Sequence, residues 1–365
     1  MRIGLNGRCF GAELTGVQRL ARGLLREVAA RTDSVLLLPR GTAVPNGGPA
    51  PFGRILQGAL PGRLWEQLEL GRQAGRAGCD VTLHPANCAP RWGDSRPHVM
   101  VVHDASPLTH PGWFTRSFVA WYRFTVAEPA ARAARILTFS RWARDQLVET
   151  LRLRPDRVEA IAPGPEGIAA PASPDAVSRT RDAFRLQGPY VLAVGAGDPR
   201  KNLGFLAEVA RVWPETGGEP LEFVMVGEPA PHVHPRAAGE LPSGAGLRRL
   251  GRVSDVELQA LYTGAVALGY PSLEEGLGLP PLEALACGTP ALVAPYGAAR
   301  ETLGVAGWIL PLERDAWLEA LGRLLADPAE RRRRAEAGRR HALGRSWDAG
   351  AARAVAACGE AAEDR

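Results

Sequence analysis

Two neighbouring cations follow a short apolar stretch near the middle of the chain. Residues 190–194 (YVLAV) predict a buried strand, and the loop after it, GAGDPRKN, contains Arg200 and Lys201. Lysine and arginine total 44, and Lys201 is the only lysine. This favours a specialised role, because the two residue types interchange on surfaces but not at specialised sites. Two cations at a turn from strand to helix suit a diphosphate.

The glycines of this loop do not complete a dinucleotide fingerprint. Gly195 and Gly197 give a G-x-G, but Arg200 stands where the fingerprint needs a third small residue. A nicotinamide-dependent oxidoreductase is therefore a weak alternative.

A second stretch, YPSLEEGLGLPPLEALACGTP at residues 270–290, combines a glycine loop with a short helix. The proline pair marks a first helical turn and Gly288 marks an end, which predicts a helix over residues 281–287. The free backbone N–H groups at its start, beside Gly276 and Gly278, predict an anion site.

Two glutamates belong to the same stretch. Glu275 lies in the loop and Glu283 in the predicted helix, with seven residues between them. Carboxylates beside an anion site would repel a phosphate, but they accept hydrogen bonds from the hydroxyl groups of a ribose or a sugar. The alternative is that a glutamate near a helix N-terminus stabilises the helix dipole.

The front half of the chain adds two candidate positions. His103 and Asp104 follow the predicted strand HVMVV, where a neutral imidazole beside a carboxylate would orient a substrate hydroxyl or take part in proton transfer. A structural histidine is the alternative. Gly16 stands at the start of a predicted helix over residues 18–30, where the backbone would approach a ligand closely.

An aromatic segment, WFTRSFVAWYRF at residues 113–124, includes Trp113 and Tyr122. Core packing or a pocket wall is favoured over insertion into a membrane interface, because aromatic residues dominate cores.

Short apolar segments alternate with helical ones along the chain, which is typical of parallel strands covered on both faces by helices. Strands are predicted at residues 2–5, 35–38, 81–83, 98–102, 136–139, 190–194, 222–226, 266–268 and 290–293. The predicted α/β architecture is two doubly wound domains, with ligands at the carboxyl ends of the strands in a cleft between them. The predicted boundaries are a first domain 1–165, a linker 166–189, a second domain 190–345 and a C-terminal helix 346–365.

Composition excludes several other classes of protein. The chain has 365 residues, 45% hydrophobic and 23% charged, which excludes disorder and a small disulfide scaffold. The five cysteines are odd in number and scattered, as expected of reduced thiols in a cytoplasm, and no apolar run is long enough to span a membrane.

Charge is unevenly distributed within the net +5 of the chain. Residues 1–165 hold 22 arginines against 13 acids, a net charge of +9, and the remainder is net −4. The front half should therefore attract something anionic. Nucleic acid is not expected, because no nucleic-acid motif accompanies the charge.

The segment EGLGLPPLEALACGTP resembles the E-x7-E motif of glycosyltransferase family 4, which contains retaining enzymes with the GT-B fold. VGAGDPRKNL resembles the loop that holds the donor diphosphate in that family, and VVHDASPLTHP resembles its acceptor-domain histidine segment. RIGLNGR with LTGVQR resembles its N-terminal glycine loop, so the resemblance spans nearly the whole chain in the right order.

The resemblance implies a role for each matched residue. Glu283 would bind the donor ribose, and Glu275 with the following amides would contact the transferred sugar. The implied catalytic residues are His103, Arg200, Lys201 and Glu275. The implied donor-binding residues are Gly16, Gly195, Arg200, Lys201, Glu275, Gly276, Leu277, Gly278 and Glu283, and the acceptor-side candidates are Asp104, Trp113 and Tyr122. Many relatives have an aromatic residue where Leu277 stands.

The implied activity is transfer of a mannose-like hexose from a nucleoside diphosphate sugar to an acceptor hydroxyl, in the biosynthesis of a cell-surface polysaccharide or glycoconjugate. No cofactor and no metal are expected. The acceptor is unknown, with an anionic or lipid-linked molecule favoured by the basic front half, and the expected location is the cytoplasm or the inner face of the membrane. A nucleotide-sugar epimerase of the same architecture and a non-catalytic sugar-nucleotide binder remain as alternatives.

Overall fold

The computed structural model describes residues 1–43, 51–92, 96–164, 167–195, 197–228, 233–234 and 246–364, which fall into two compact units. Unit 1 comprises Met1–Thr109, Ser117–Glu166 and Ser346–Arg365, and unit 2 comprises His110–Arg116 and Gly167–Arg345. The predicted boundaries divide the chain differently at two places. The segment His110–Arg116 belongs to unit 2, although it lies within the predicted first domain, and so do residues 167–189 of the predicted linker.

Unit 1 contains a parallel sheet of seven strands in the order β3-β2-β1-β4-β5-β6-β7. The strands are β1 Ile3–Asn6, β2 Ser34–Leu38, β3 Arg54–Gln57, β4 Val81–His84, β5 His98–Val101, β6 Arg135–Thr138 and β7 Val158–Ala160. Every residue of β1, β2 and β4 is buried, as expected for parallel strands covered on both faces. Chain order reverses between β1 and β4, which makes their carboxyl ends the topological switch point of this sheet.

Unit 2 contains a second parallel sheet of six strands in the order β10-β9-β8-β11-β12-β13. The strands are β8 Tyr190–Val194, β9 Glu222–Val226, β10 Leu247–Gly251, β11 Ala267–Tyr270, β12 Ala291–Val293 and β13 Trp308–Ile309. Its core contains the large buried side chains of Phe223 and Trp317. The switch point of this sheet lies between β8 and β11. β8 precedes the predicted diphosphate loop, and β11 precedes the loop that carries Glu274 and Glu275, called the glutamate loop below.

Helices occupy the connections between strands. They are α1 Gly16–Ala29, α2 Gly62–Leu68, α3 Leu70–Arg76, α4 Ser106–Thr109, α5 Arg116–Tyr122, α6 Glu128–Arg132, α7 Arg141–Leu151, α8 Pro174–Ala183, α9 Leu203–Val212, α10 Asp255–Gly264, α11 Leu279–Ala286, α12 Ala299–Leu303, α13 Arg314–Ala326, α14 Pro328–Leu343 and α15 Trp347–Glu363. Their starts follow ordinary capping rules: Ser254 and Glu257 form a capping box on α10, and Ser140 caps α7.

All nine predicted strands are present, with ends shifted by one or two residues at most. Of the strands in the described residues, β3, β7, β10 and β13 were not predicted, and they lie at the edges of the two sheets. Edge strands bury less of each side chain, so they lack the continuous apolar run that identifies an interior strand. In β3 the pattern RILQ is exposed at both ends.

The final helix belongs to unit 1. α15 packs against α1 and against β4, β5 and β6. A Cβ on Gly350 would stand 2.2 Å from the carbonyl oxygen of Ala162, so glycine allows the helix to lie directly on this backbone. The Trp347 ring meets Phe139 edge-on with centroids 6.1 Å apart.

Candidate active site

The Lys201 ammonium is held by two short hydrogen bonds in unit 2. Its Nζ lies 2.6 Å from Glu275 Oε1 and 2.6 Å from the Tyr270 hydroxyl, and 4.7 Å from the centroid of the Tyr270 ring. The side chain is 12% exposed. The structure thus joins the only lysine to the first glutamate of the E-x7-E pattern, across the switch point between β8 and β11.

The Glu275 carboxylate is ionised in spite of burial. Burial alone would raise the pKa of its carboxyl group, but Lys201 and Arg200, with hydrogen bonds from Lys201 and Ser272, bring the pKa below its ordinary value. Ser272 Oγ donates at 2.7 Å to Oε1, the same oxygen that Lys201 contacts. Oε1 therefore accepts from both Lys201 and Ser272.

Arg200 contacts a carboxylate of its own loop. Its Nε and Nη2 donate to Asp198 Oδ2 at 3.0 and 2.8 Å, so the guanidinium is hydrogen-bonded within its own loop. Burial raises the pKa of the Asp198 carboxyl, but the Arg200 charge and hydrogen bonds outweigh it and the pKa is lowered. The Arg200 carbonyl also accepts a hydrogen bond from Leu273 N at 2.7 Å, and Ser272 Oγ lies 3.0 Å from it. Arg200 thereby ties the two loops together.

Two glycines make close approaches that a side chain would prevent. Gly195 has φ +106° and a Cβ there would lie 2.9 Å from Lys201 Cε. Gly278 has φ +86° and a Cβ there would lie 2.3 Å from the Tyr296 hydroxyl. The first glycine therefore makes room for the lysine stem, and the second lets the loop Glu275–Gly278 cross the buried Tyr296 ring.

Glu283 lies on α11 and contacts a buried tyrosine. The Tyr262 hydroxyl donates to Glu283 Oε2 at 3.0 Å, and the glutamate is 6% exposed. Helix α11 runs over Leu279–Ala286, two residues earlier at its start than predicted, after Gly278 in the left-handed region. The Leu277 side chain is 6% exposed, so it packs inside the loop.

The segment His110–Arg116, which contains Trp113, belongs to unit 2. The His110 and Trp113 rings stack with centroids 4.0 Å apart, and His110 Nδ1 lies 3.1 Å from Glu274 Oε2. The Trp113 carbonyl accepts from His234 N at 2.9 Å. This segment therefore borders the glutamate loop.

His103 lies in unit 1 in a defined tautomer. Its Nε2 is 3.1 Å from the Pro85 carbonyl, which can only accept, so Nε2 carries the proton and Nδ1 the lone pair. Burial lowers the pKa of this imidazole, although the Pro85 hydrogen bond and Asp104 act in the opposite direction. Asn87 Oδ1 accepts from His103 N at 2.7 Å and holds the strand end. His103 is thus a neutral acceptor at the carboxyl end of β5.

The other front-half candidates have different surroundings. Asp104 Oδ1 accepts from Ser106 N at 3.0 Å, and its carbonyl accepts from the Tyr122 hydroxyl at 2.5 Å. Tyr122 is 3% exposed and belongs to the core, so its hydrogen bond to Asp104 ties the His103 segment to that core. Gly16 is exposed and is the first residue of α1.

Several residues of the site were missed from the sequence. Tyr270, Ser272 and Asp198 lie inside the two stretches singled out above, but nothing in residue type alone assigns them as partners of Lys201, Glu275 and Arg200. Tyr262 and Tyr296 come from separate elements and are joined only by the fold. Burial raises the pKa of Tyr296 well above its ordinary value, with Glu275 adding to the effect.

Stability should depend on pH through two buried histidines. Burial, and then His98, lowers the pKa of His84 well below its ordinary 6.5, and the pKa of His103 is lowered as well. In the unfolded chain both imidazoles titrate at about pH 6.5, so below that pH the unfolded state binds more protons than the folded state. We expect the free energy of unfolding, measured by denaturant titration, to fall as pH decreases from about 7 to about 5. A constant or rising value would contradict the assignment of both as neutral.

The described part of the chain shows three further features. It contains no group of three histidine, cysteine or acidic residues placed to hold a metal ion. Cys9, Cys79, Cys88, Cys287 and Cys358 are buried free thiols. None of its helices is both long and apolar enough to cross a bilayer.

Each unit is built on a parallel sheet covered by helices, and the E-x7-E glutamates lie at the switch point of the second sheet. These features define the class: the chain has the α/β GT-B fold of glycosyltransferases. Two family models match it, Glycosyltransferase Family 4 over residues 14–165 and Glycosyl transferases group 1 over residues 177–341. A D-inositol 3-phosphate glycosyltransferase of Salinispora arenicola is 31% identical, over 88% of this chain and 79% of that protein. The chain therefore belongs to glycosyltransferase family 4, as predicted.

Two further similarities have lower sequence identity. O-antigen chain mannosyltransferase RfbU of Salmonella typhimurium is 26% identical, and the match covers 62% of this chain and 60% of that protein. Anabaena HepE, solved in complex with UDP and glucose, has a TM-score of 0.66 at 17% identity and covers 94% of this chain and 95% of its own. At 17% identity, the similarity to HepE shows the fold alone.

Proposed function

We propose that the protein transfers a hexose from a nucleoside diphosphate sugar to a hydroxyl group of an acceptor, with retention at the anomeric carbon. The observation that carries the proposal is the buried pair of Lys201 and Glu275 at 2.6 Å, beside the glycine loop that precedes α11. A cation, backbone amides and a carboxylate together match a sugar diphosphate, which carries both an anion and hydroxyl groups.

Stabilisation of the leaving group is the main task of unit 2. As the bond from sugar to oxygen breaks, negative charge grows on the departing diphosphate. The Lys201 ammonium and the amides of Gly276 and Gly278 stabilise that charge in a site where water is largely excluded. Because Glu275 and Tyr270 already orient the ammonium, little reorganisation is needed at the moment of reaction.

The two glutamates accept hydrogen bonds from the hydroxyl groups of the donor. Glu275 accepts from the transferred sugar, and Glu283, oriented by Tyr262, accepts from the ribose. Arg200 reinforces the loop, and its contribution to the diphosphate is electrostatic. His103, with Nδ1 as acceptor, positions a sugar hydroxyl near the reacting carbon; no residue is assigned as an enzymic nucleophile, in keeping with attack from the face that the leaving group vacates.

The donor sugar is proposed to be mannose-like. This is supported by RfbU, which is named as a mannosyltransferase, and the same relative supports a place in the biosynthesis of a cell-surface polysaccharide. The inositol phosphate in the name of the Salinispora relative supports an anionic acceptor. We place the reaction in the cytoplasm, with a basic unit 1 that associates peripherally with the inner face of the membrane when the acceptor is lipid-linked.

Metal independence is part of the proposal, because Lys201 supplies the charge that a divalent ion would otherwise supply. We expect transfer to continue at an unchanged rate in the presence of excess EDTA. Loss of the activity with EDTA and its return with magnesium or manganese would contradict this part.

The experiment that tests the proposal is product analysis with GDP-mannose, UDP-glucose and their relatives as donors and a panel of acceptors. Release of the nucleoside diphosphate in step with an α-linked product supports retaining transfer. An altered nucleotide sugar without free nucleoside diphosphate would show the epimerase instead, an alternative to which the comparisons give no support. Donor binding without turnover would indicate a binding protein.

A further inference from the structure

A polar cluster at the switch point of unit 1 has no role in the proposed donor site. Asn6 ends β1 and His84 ends β4, and both side chains are buried. Asn6 Nδ2 lies 2.7 Å from Glu66 Oε1 and 3.1 Å from His84 Nδ1. Ligands in open α/β sheets bind at this position, outside the carboxyl ends of the strands where chain order reverses.

Glu66 is the anchor of the cluster. It is 1% exposed, and a buried carboxylate is costly unless it is paired. Asn6 occupies Oε1, and Arg8 Nε lies 3.0 Å from Oε2. Oε2 and Nε are both buried, and neither makes a hydrogen bond, so the contact between them is an ion pair. This ion pair fixes the direction in which Arg8 points.

Arg8 keeps binding capacity that the protein does not use. A guanidinium has five N–H donors in a planar fork. Nε is buried, whereas 17% of the side chain as a whole is exposed. Among the residues that the structure describes, neither terminal nitrogen of Arg8 donates to a protein acceptor. A guanidinium held at one edge with its terminal N–H groups unused matches a phosphate group.

The loop that carries Arg8 is fixed as well. Arg22 on α1 donates to the carbonyls of Cys9, Phe10 and Ala12 at 2.9, 3.2 and 3.1 Å. The Arg8 amide donates to Asn6 Oδ1 at 3.1 Å. The position of the guanidinium is therefore set before any ligand arrives, which lowers the entropic cost of binding.

We propose that Arg8, oriented by Glu66, forms a phosphate-binding subsite at the carboxyl ends of β1 and β4 in unit 1. The ligand is a phosphate monoester or diphosphate carried by the acceptor. Assigning the ligand to the acceptor rests on the proposed glycosyl transfer, but the subsite itself does not. Residues 1–165, most of which belong to unit 1, carry a net charge of +9, which attracts such a ligand.

The test compares matched ligands that differ by one phosphate. The soluble arm measures, by calorimetry, the dissociation constants of myo-inositol 3-phosphate and of myo-inositol. The lipid arm measures sedimentation with phosphatidylcholine vesicles with and without a polyprenyl phosphate. We expect the wild-type protein to bind the phosphate-bearing member at least about tenfold more tightly in one arm or both, equivalent to about 1.4 kcal/mol. The arm that responds identifies a free ester or a lipid headgroup as the source.

Variants assign this preference to Arg8. Arg8→Gln should abolish it, whereas Arg72→Gln, which removes an exposed arginine from the same unit, should leave it intact. Because Arg8→Gln leaves Glu66 buried without its cation, the double variant with Glu66→Gln is measured beside it. No preference in either arm, or a preference that survives in the folded double variant, would overturn the proposal. Nucleoside diphosphate binding is measured on the same samples, so a failure of this subsite is distinguished from a failure of the donor site.

Discussion

Replacing Lys201 by alanine is expected to reduce the rate of sugar transfer by about two to three orders of magnitude, the effect typical of losing one group that stabilises developing negative charge. The reason is geometric: in this chain the ammonium lies 2.6 Å from both Glu275 and Tyr270. No other lysine is present to take its place. The measurement is the turnover number at saturating donor, so that weaker donor binding is separated from slower chemistry.

Two comparisons make that result interpretable. Arg211→Ala removes an exposed cation from α9 of the same unit and should leave the rate unchanged. Lys201→Ala with Glu275→Gln avoids an unpaired buried carboxylate, and thermal unfolding of both proteins checks that they fold. An unchanged turnover number in a folded Lys201 variant would overturn the site assignment.

Replacing Gly278 by alanine is expected to lower the free energy of unfolding by about 3 kcal/mol, from a left-handed backbone and from overpacking. The φ angle is +86°, and the added Cβ would stand 2.3 Å from the buried Tyr296 hydroxyl. Because the loop that would move carries the amides of the proposed diphosphate site, donor affinity should fall as well. Denaturant titration and calorimetry with nucleoside diphosphates measure the two effects.

Gly288 provides the matched control. It follows α11 with φ +79°, but a Cβ there would meet nothing within 4 Å. Gly288→Ala should therefore cost only the backbone strain, about 1 kcal/mol. Tyr296→Phe, which removes the closest atom, should recover part of the loss in the Gly278 variant. Equal costs for the two alanine variants would show that the contact with Tyr296 does not constrain the loop.

The interior strands were predictable from the sequence, and so was the meeting of the loops that follow two of them. β8 and β11 are apolar on both faces, and the chain that leaves their carboxyl ends meets at one switch point, so Lys201 and Glu275 were expected together. The edge strands β3 and β10 were not predictable. Their partly exposed polar residues resemble loops until a neighbouring strand supplies hydrogen bonds.

Other features of the site depend on contacts that the sequence does not encode locally. Arg200 is predicted to hold the diphosphate. A pattern of residue types shows its positive charge but not that Asp198 engages it. Trp113 lies in the front half of the chain, but it belongs to unit 2, where its ring stacks on His110 beside Glu274. The cluster of Arg8 and Glu66 joins residues 58 positions apart, and no periodicity relates them.

The central claim is that Lys201 binds the diphosphate of the donor. Its most direct test is calorimetric comparison of a nucleoside diphosphate with the corresponding monophosphate, in the wild-type protein and in Lys201→Ala. We predict that the diphosphate binds more tightly to the wild type and that most of this difference disappears in the variant. If the difference persists undiminished in a folded Lys201→Ala protein, the diphosphate is held elsewhere and the account is wrong.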